Sequence, residues 1–284
     1  MAAKALCVGI NQFAHLPSSS WLNGCVNDAN DMAAMLKAMP GFSRGSVRVL
    51  TDADATKADV MARLTDLVGQ AKDGRLDHVV FSFSSHGTQV PDTNGDETVD
   101  HVDEAFACYD IAQKGSDWDR DTVIVDDELN ALLSDIPTGV LVEVVLDTCH
   151  SGTGLKGDDL LPGRKPRFLP PPTALGIRRL APKSDPQGYQ ELVRTTPAAT
   201  RAVLFAACKA DQTSADAYFD GRYNGAFTYY FLKALEDAAN GSTPVPRSTV
   251  LTTVSASLRG GDFSQRAQLE APPKAKRAPF GQLG

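Results

Sequence analysis

The sequence predicts an α/β fold with a mostly parallel central sheet flanked by helices. Three observations carry that prediction. The runs His78–Phe83 and Val140–Leu146 are nearly continuous in apolar residues, as in parallel strands buried on both faces. Stretches with helical spacing alternate with such runs, the rhythm that gives a parallel sheet with right-handed crossovers. A chain of 284 residues, 42% hydrophobic and 22% charged, is large enough for one substantial core.

Ala5–Ile10 reads as the first strand. Asn27–Met39 carries Ala29, Met32, Ala33, Met35 and Leu36 as a helical stripe ending before Pro40-Gly41. Val47–Leu50 is a short strand. Thr56 is placed to cap a helix bearing Val60, Met61, Leu64, Leu67 and Val68. After the strand at 78–83, residues 88–122 hold eight Asp and two Glu and read as a long acidic loop. Asp126–Leu133 is a short helix, with Asp126-Asp127 as a possible N-cap pair, and Val140–Leu146 the next strand. Residues 153–199 contain eight Pro, eight Lys or Arg and four Asp or Glu, the composition of an exposed, poorly ordered basic connector. It divides a single domain into a large part (1–152) and a small part (200–270), both expected to share one sheet. In the small part Ala202–Ala206 is a strand, and Phe227–Leu235 and Val250–Leu258 are helices. Residues 271–284 read as a tail.

The formal net charge of −7 argues against general nucleic-acid binding. No apolar run approaches the ~20 residues that span a bilayer, and the N-terminus has no secretory pattern. Five irregularly spaced cysteines suit a reducing compartment, with cytoplasm as the default.

Chemistry concentrates at two strand ends. Ser85-His86-Gly87 follows one buried run and Thr148-Cys149-His150-Ser151-Gly152 the other. Open α/β sheets place their ligand crevice at such carboxyl ends. A thiol needs a base to become a nucleophile, and imidazole can supply it. Cys149 is therefore the candidate nucleophile and His86 the candidate acid and base. His150 diverges from its neighbour along an extended backbone. The main-chain N–H groups of Gly87 and Cys149 are candidates for the oxyanion site. No third member of a triad is evident. Asp147, two residues before Cys149, points to the same side of its strand. Asp92–Glu97 lacks the spacing of an EF-hand loop.

Together with Gly24-Cys25-Val26-Asn27-Asp28-Ala29, Asp103-Glu104, Val125-Asp126-Asp127-Glu128, Gln212-Thr213-Ser214-Ala215-Asp216 and Gly225-Ala226-Phe227-Thr228, these strings resemble the caspase-like cysteine peptidases of clan CD. The nearest resemblance is to the metacaspases of bacteria, plants, fungi and protists. It covers about residues 4–270 outside the connector; with no long prodomain before the first strand, it is to the compact bacterial type. It implies a caspase-like fold, a Cys149–His86 dyad acting through a thioacyl-enzyme, and a monomer. The positions matching Asp28, Asp147, Cys25 and Ser84 line the primary specificity pocket in metacaspases. Two carboxylates there imply protein or peptide substrates cleaved after Arg or Lys. In the family the region of Asp216 borders the cleft, so the resemblance also allows Asp216 a role in that pocket. Positions matching Asp103, Asp126 and Asp127 bind an activating calcium ion in the family. The family's further Asp falls on Lys156 here, with Asp158 and Asp159 as substitutes. No cofactor is required for the chemistry. The connector offers Lys156, Arg164, Lys165, Arg167, Arg178, Arg179, Lys183 and Arg194 to an acidic pocket, which implies self-processing. The alternatives are a catalytically silent scaffold that binds partners and a non-peptidase acyl hydrolase.

Overall fold

The computed structural model describes residues 2–93, 102–149, 163–173, 201–209 and 212–283. The large part contributes β1 (Ala3–Gly9), α1 (Cys25–Ala38), β2 (Val47–Thr51), α2 (Lys57–Lys72), β3 (His78–Ser84), β4 (Gly87–Pro91), β5 (Val102–Ala107), β6 (Gln113–Lys114), β7 (Asp117–Trp118), β8 (Val123–Val125), α3 (Asp126–Ser134) and β9 (Leu141–Asp147). Next come β10 (Lys165–Pro166), β11 (Arg201–Ala206), β12 (Ala215–Phe219), β13 (Arg222–Gly225), α4 (Ala226–Asn240), α5 (Arg247–Gly260), β14 (Gln268–Glu270) and α6 (Pro273–Arg277).

Six strands form the central sheet in the order β14-β11-β9-β3-β1-β2. All its pairings are parallel except that of the edge strand β14 with β11. Successive side chains on a strand face opposite sides, and the continuous apolar runs supply two cores accordingly. Leu6, Val8, Phe81, Val142, Val144 and Leu204 pack with residues of α2 and α3. Ala5, Cys7, Val80, Val145, Val203 and Phe205 pack with residues of α1, α4 and α5. Both parts of the chain therefore share one sheet. Among the described residues, no helix is long and apolar enough to cross a membrane.

Thr56 caps α2 by accepting from the Asp59 N–H. Val125 rather than the acidic pair stands at the cap of α3, and the Glu128 carboxylate accepts from the Val125 N–H. Asp126 and Asp127 fall in the first turn, where negative charge complements the helix dipole.

Three expectations need correction. Residues 88–122 are not simply a loop: they hold most of β4 and all of β5, which with β8 just beyond them form a separate antiparallel sheet. Asp103 and Glu104 lie buried within it, so acidic residues interrupt the apolar pattern without ending the strand. The connector is not exposed throughout, since Arg167, Phe168 and Leu169 are buried. Residues 271–283 are not a loose tail. Ala275 and Phe280 are in the core, and Arg247 donates to the carbonyls of Ala275 and Gln282.

Candidate active site

The register of β3 and β9 pairs Ser84 with Asp147, so the strands end level. His86 and Cys149 each follow two residues later, at the carboxyl edge of the sheet. His86 is buried. Its Nε2 lies 2.8 Å from the Ser20 carbonyl oxygen. That oxygen can only accept, so Nε2 carries the proton and Nδ1 is the free base. Among the described residues, Nδ1 has no hydrogen-bond partner. The Phe13 ring lies 5.4 Å from the imidazole, centroid to centroid. Burial pulls the His86 pKa down to about 4, so the ring is uncharged at neutral pH. The orienting partner is thus a main-chain carbonyl, which no side-chain pattern reveals.

Cys149 Sγ does not bond to His86. It lies against the Ser214 N–H and 3.5 Å from Cys208 Sγ. The Cys149 main chain, by contrast, is already engaged. Its N–H donates to the Arg167 carbonyl oxygen (3.2 Å), as does the Gly87 N–H (2.9 Å). A Cβ on Gly87 would fall 1.8 Å from the Cys149 carbonyl oxygen, so the close approach requires glycine.

Arg167 belongs to the connector, and its side chain fills an acidic pocket. Its Nη2 lies 2.6 Å from Asp28 Oδ2 and 3.1 Å from Asp216 Oδ1, and its Nη1 3.3 Å from Asp147 Oδ2. The guanidinium and all three carboxylates are almost entirely shielded from solvent. The acids are held by further donors. Asp28 accepts from Asn224 Nδ2 and the Gly225 N–H. Asp147 accepts from Ser214 Oγ, Thr228 N and Thr228 Oγ1. Asp216 accepts from the N–H groups of Asn23 and Gly24. Burial nevertheless pushes the Asp28 pKa up to about 6, against the lowering pull of Arg167. Cys25, at the start of α1, is near enough for the Arg167 charge to act on its thiol, which burial pushes well up. Ser84 is buried at the end of β3. Gly225 closes the pocket. A Cβ there would lie 2.2 Å from Asp147 Oδ2 and 2.5 Å from Arg167 Nη1.

The chain on either side of Arg167 is held as a strand. Lys165 and Pro166 pair antiparallel with Asp216 and Ala215, the Arg167 N–H donates to the Ser214 carbonyl, and the Leu169 N–H donates to the Gly87 carbonyl. Phe168 packs against Cys149 and Cys208. Ser214, Thr228, Gly225 and Asn224 complete the pocket. The strings at 212–216 and 225–228 mark their neighbourhood, but only the fold shows which atoms face Asp28 and Asp147.

Of the expected calcium ligands, Asp103 has its pKa raised by burial, and Asp127 and Asp92 lie near enough for their charges to add to the rise, against the lowering pull of Arg120. Asp103 is ion-paired with Arg120, Nη1 to Oδ2 2.6 Å, and Arg120 also donates to the Pro91 carbonyl. Asp126 and Asp127 lie in the first turn of α3. Among the described residues, no group of three or more His, Cys, Asp or Glu side chains could share a metal ion. Lys156, Asp158, Asp159 and Asp211, together with His150, Ser151, Gly152, Arg178, Arg179, Lys183 and Arg194, lie outside the described residues.

Comparison with known proteins places this geometry in a family. A caspase-domain model matches residues 2–278. Metacaspase-1 of Cryptococcus neoformans is 30% identical over 94% of this chain and 62% of its own length. Metacaspase-1B of Aspergillus fumigatus is 30% identical over 94% of this chain and 68% of its own. This chain therefore spans under two thirds of the length of the Cryptococcus relative and slightly more of the Aspergillus one. Among solved structures, protein GSU0716 from Geobacter sulfurreducens matches with a TM-score of 0.66 at 27% identity, covering 98% of both chains. Caspase-1 from Spodoptera frugiperda shares the fold, with a TM-score of 0.57 at 12% identity over 95% of this chain and 86% of its own. The chain belongs to the caspase-domain family, and the named relatives it resembles in sequence are metacaspases.

Proposed function

We propose that the chain is a cysteine endopeptidase that cleaves after arginine, and less readily after lysine, through Cys149 and His86, and that its first substrate is its own Arg167–Phe168 bond. The observation that carries this reading is the seat of Arg167. Its carbonyl oxygen rests on two main-chain N–H groups, one of them that of Cys149, while its guanidinium is enclosed by Asp28, Asp147 and Asp216.

Rotation of the Cys149 side chain about Cα–Cβ carries Sγ from Ser214 toward the Arg167 carbonyl carbon. His86 Nδ1, uncharged and unbonded, accepts the thiol proton as the S–C bond forms. The Gly87 and Cys149 N–H groups stabilise the developing oxyanion. The bond to the Phe168 nitrogen then breaks, and that nitrogen takes the proton from His86. Water, deprotonated by the same imidazole, hydrolyses the thioester and restores the thiol. The Ser20 carbonyl holds the ring throughout and favours the imidazolium that forms transiently.

The planar guanidinium reaches three carboxylates at once; a lysine ammonium is a single point charge and can match fewer of them. The same pocket disfavours an acidic residue by like-charge repulsion. With Asp103 paired to Arg120, calcium has no step in this reading. The five free cysteines accord with the cytoplasm as its compartment.

Fluorogenic Arg, Lys and Asp peptides and an arginyl fluoromethyl ketone test the proposal. The expected order is Arg above Lys, with no cleavage after Asp, and labelling confined to Cys149. Cleavage after Asp, or label on another residue, contradicts it. A lack of both turnover and labelling marks a silent scaffold.

A further inference from the structure

The connector segment makes a second cationic contact, three residues ahead of Arg167. Arg164 Cζ lies 3.7 Å from the centroid of the Phe263 ring. Its Nη1 donates to the Asp262 carbonyl (2.7 Å) and its Nη2 to the Gly261 carbonyl (2.8 Å). Those carbonyls belong to the carboxyl end of α5, where the helix dipole presents negative charge. Asp262 has φ of 56°, a left-handed conformation uncommon outside glycine, in the turn that presents both oxygens. A Cβ on Gly261 would lie 2.6 Å from Tyr230 Oη, so the Tyr230 side chain packs closely over this turn. Phe263 is supported by Phe219 at 5.8 Å and Tyr230 at 6.3 Å, centroid to centroid, and a cavity of about 240 Å³ adjoins the contact.

A planar cation that stacks on an aromatic face and donates a fork to two carbonyls is recognised as a guanidinium. Between the two arginines, Lys165 Nζ donates to the Trp21 carbonyl (2.7 Å). Pro166 fits because alternate N–H groups of the segment point away from β12, and Arg167 supplies the one that bonds Ser214.

We propose that the α5 terminus and Phe263 form a further substrate subsite selecting arginine three residues before the cleaved arginine, so that the preferred substrates are polypeptides with an Arg-x-x-Arg spacing. The inference rests on the peptidase reading for its catalytic meaning, but the docking of Arg164 can be measured without turnover.

Two measurements separate them. In full-length Cys149→Ala protein, amide hydrogen exchange of Lys165, Arg167 and Leu169 is expected to be slow. Adding Arg164→Ala, at a half-exposed position, is expected to accelerate it about tenfold, and Phe263→Leu to do the same. Unchanged exchange in both overturns the subsite. With the active protein, Arg-Lys-Pro-Arg and Ala-Lys-Pro-Arg fluorogenic amides are expected to differ about tenfold in kcat/KM. The difference is expected to vanish in Phe263→Leu. Equal rates on the two amides in the unsubstituted protein overturn the subsite while leaving the peptidase reading intact. If neither amide is cut but exchange responds to Arg164→Ala, the docking of Arg164 stands, and the peptidase reading falls and takes the substrate role of the subsite with it.

Discussion

Two buried ionic clusters lie at opposite ends of the same sheet, and they differ in where their cation comes from. At the amino end of β3, Glu143 takes His78 Nε2 at 2.9 Å and Arg247 at 2.7 Å. Arg247 is fixed on α5, and its Nη1 and Nη2 donate to the carbonyls of Ala275 and Gln282. At the carboxyl end, Asp28, Asp147 and Asp216 surround Arg167, a residue on a short strand in the connector. Buried charge without a partner is costly. A cluster whose cation is built into a helix is architecture. A cluster with three carboxylates and one cation, supplied by a segment from between the two parts of the domain, is the arrangement the proposed function reads as a substrate pocket.

Substitution of the two arginines should separate these roles most strongly. Arg247→Ala leaves Glu143 without its main partner and is expected to cost about 3–5 kcal/mol of stability, read from chemical denaturation, with no recovery on adding an arginine peptide. Arg167→Ala also bares the acids, but an added Arg-Lys-Pro-Arg peptide should raise its Tm. A failure of the peptide to do so, or an equal rise in both variants, removes the distinction.

The next largest effects concern the pocket's fit. Gly225→Ala puts a methyl where Asp147 and Arg167 meet, and is expected to reduce Arg-peptide turnover at least a hundredfold, mainly through KM. Arg167→Lys keeps the charge but loses the fork, and self-processing followed on gels should slow roughly tenfold.

Acidity sharpens the contrast further. Asp28, with a pKa raised by burial from 3.8 to about 6, stabilises the fold most below its unfolded value, and that contribution is lost as pH rises toward 6. The pocket's hold on a guanidinium needs the ionised acid and moves the other way. Across pH 4–6, Asp28's share of stability should fall as self-processing rises. His86, with its pKa near 4, stays uncharged over most of that window. Comparing stability with Asp28→Asn across this range isolates the first trend, and an acid limb of processing centred near 4 instead of 6 assigns it to His86. The smallest effect expected is that of calcium. With Arg120 on Asp103, activity in calcium and in chelator should agree within about twofold.

The legible parts of the molecule were those written in side-chain pattern. Buried parallel strands appear as unbroken apolar runs, and the residues after them, His86 and Cys149, stand at strand ends whatever the loops do. The hairpin strand β5 escaped because Asp103 and Glu104 interrupt its apolar run, although the fold buries both. Phe280 was lost among Pro and Lys, and its docking depends on carbonyl contacts with the distant Arg247. Composition offered eight basic residues in the connector and no means of ranking them. Among the three that lie in the described residues, register sets Arg167 apart, since β10 pairs with β12 directly ahead of it and two N–H groups converge on its carbonyl. Ser20 contributes only its main-chain oxygen, which any residue carries.

Intact mass measurement of the purified chain, beside Cys149→Ala, tests the central claim most directly. The account predicts fragments 1–167 and 168–284 from the unsubstituted protein and a single uncut species from the variant. An uncut chain in both, or a cut that persists without Cys149, contradicts it.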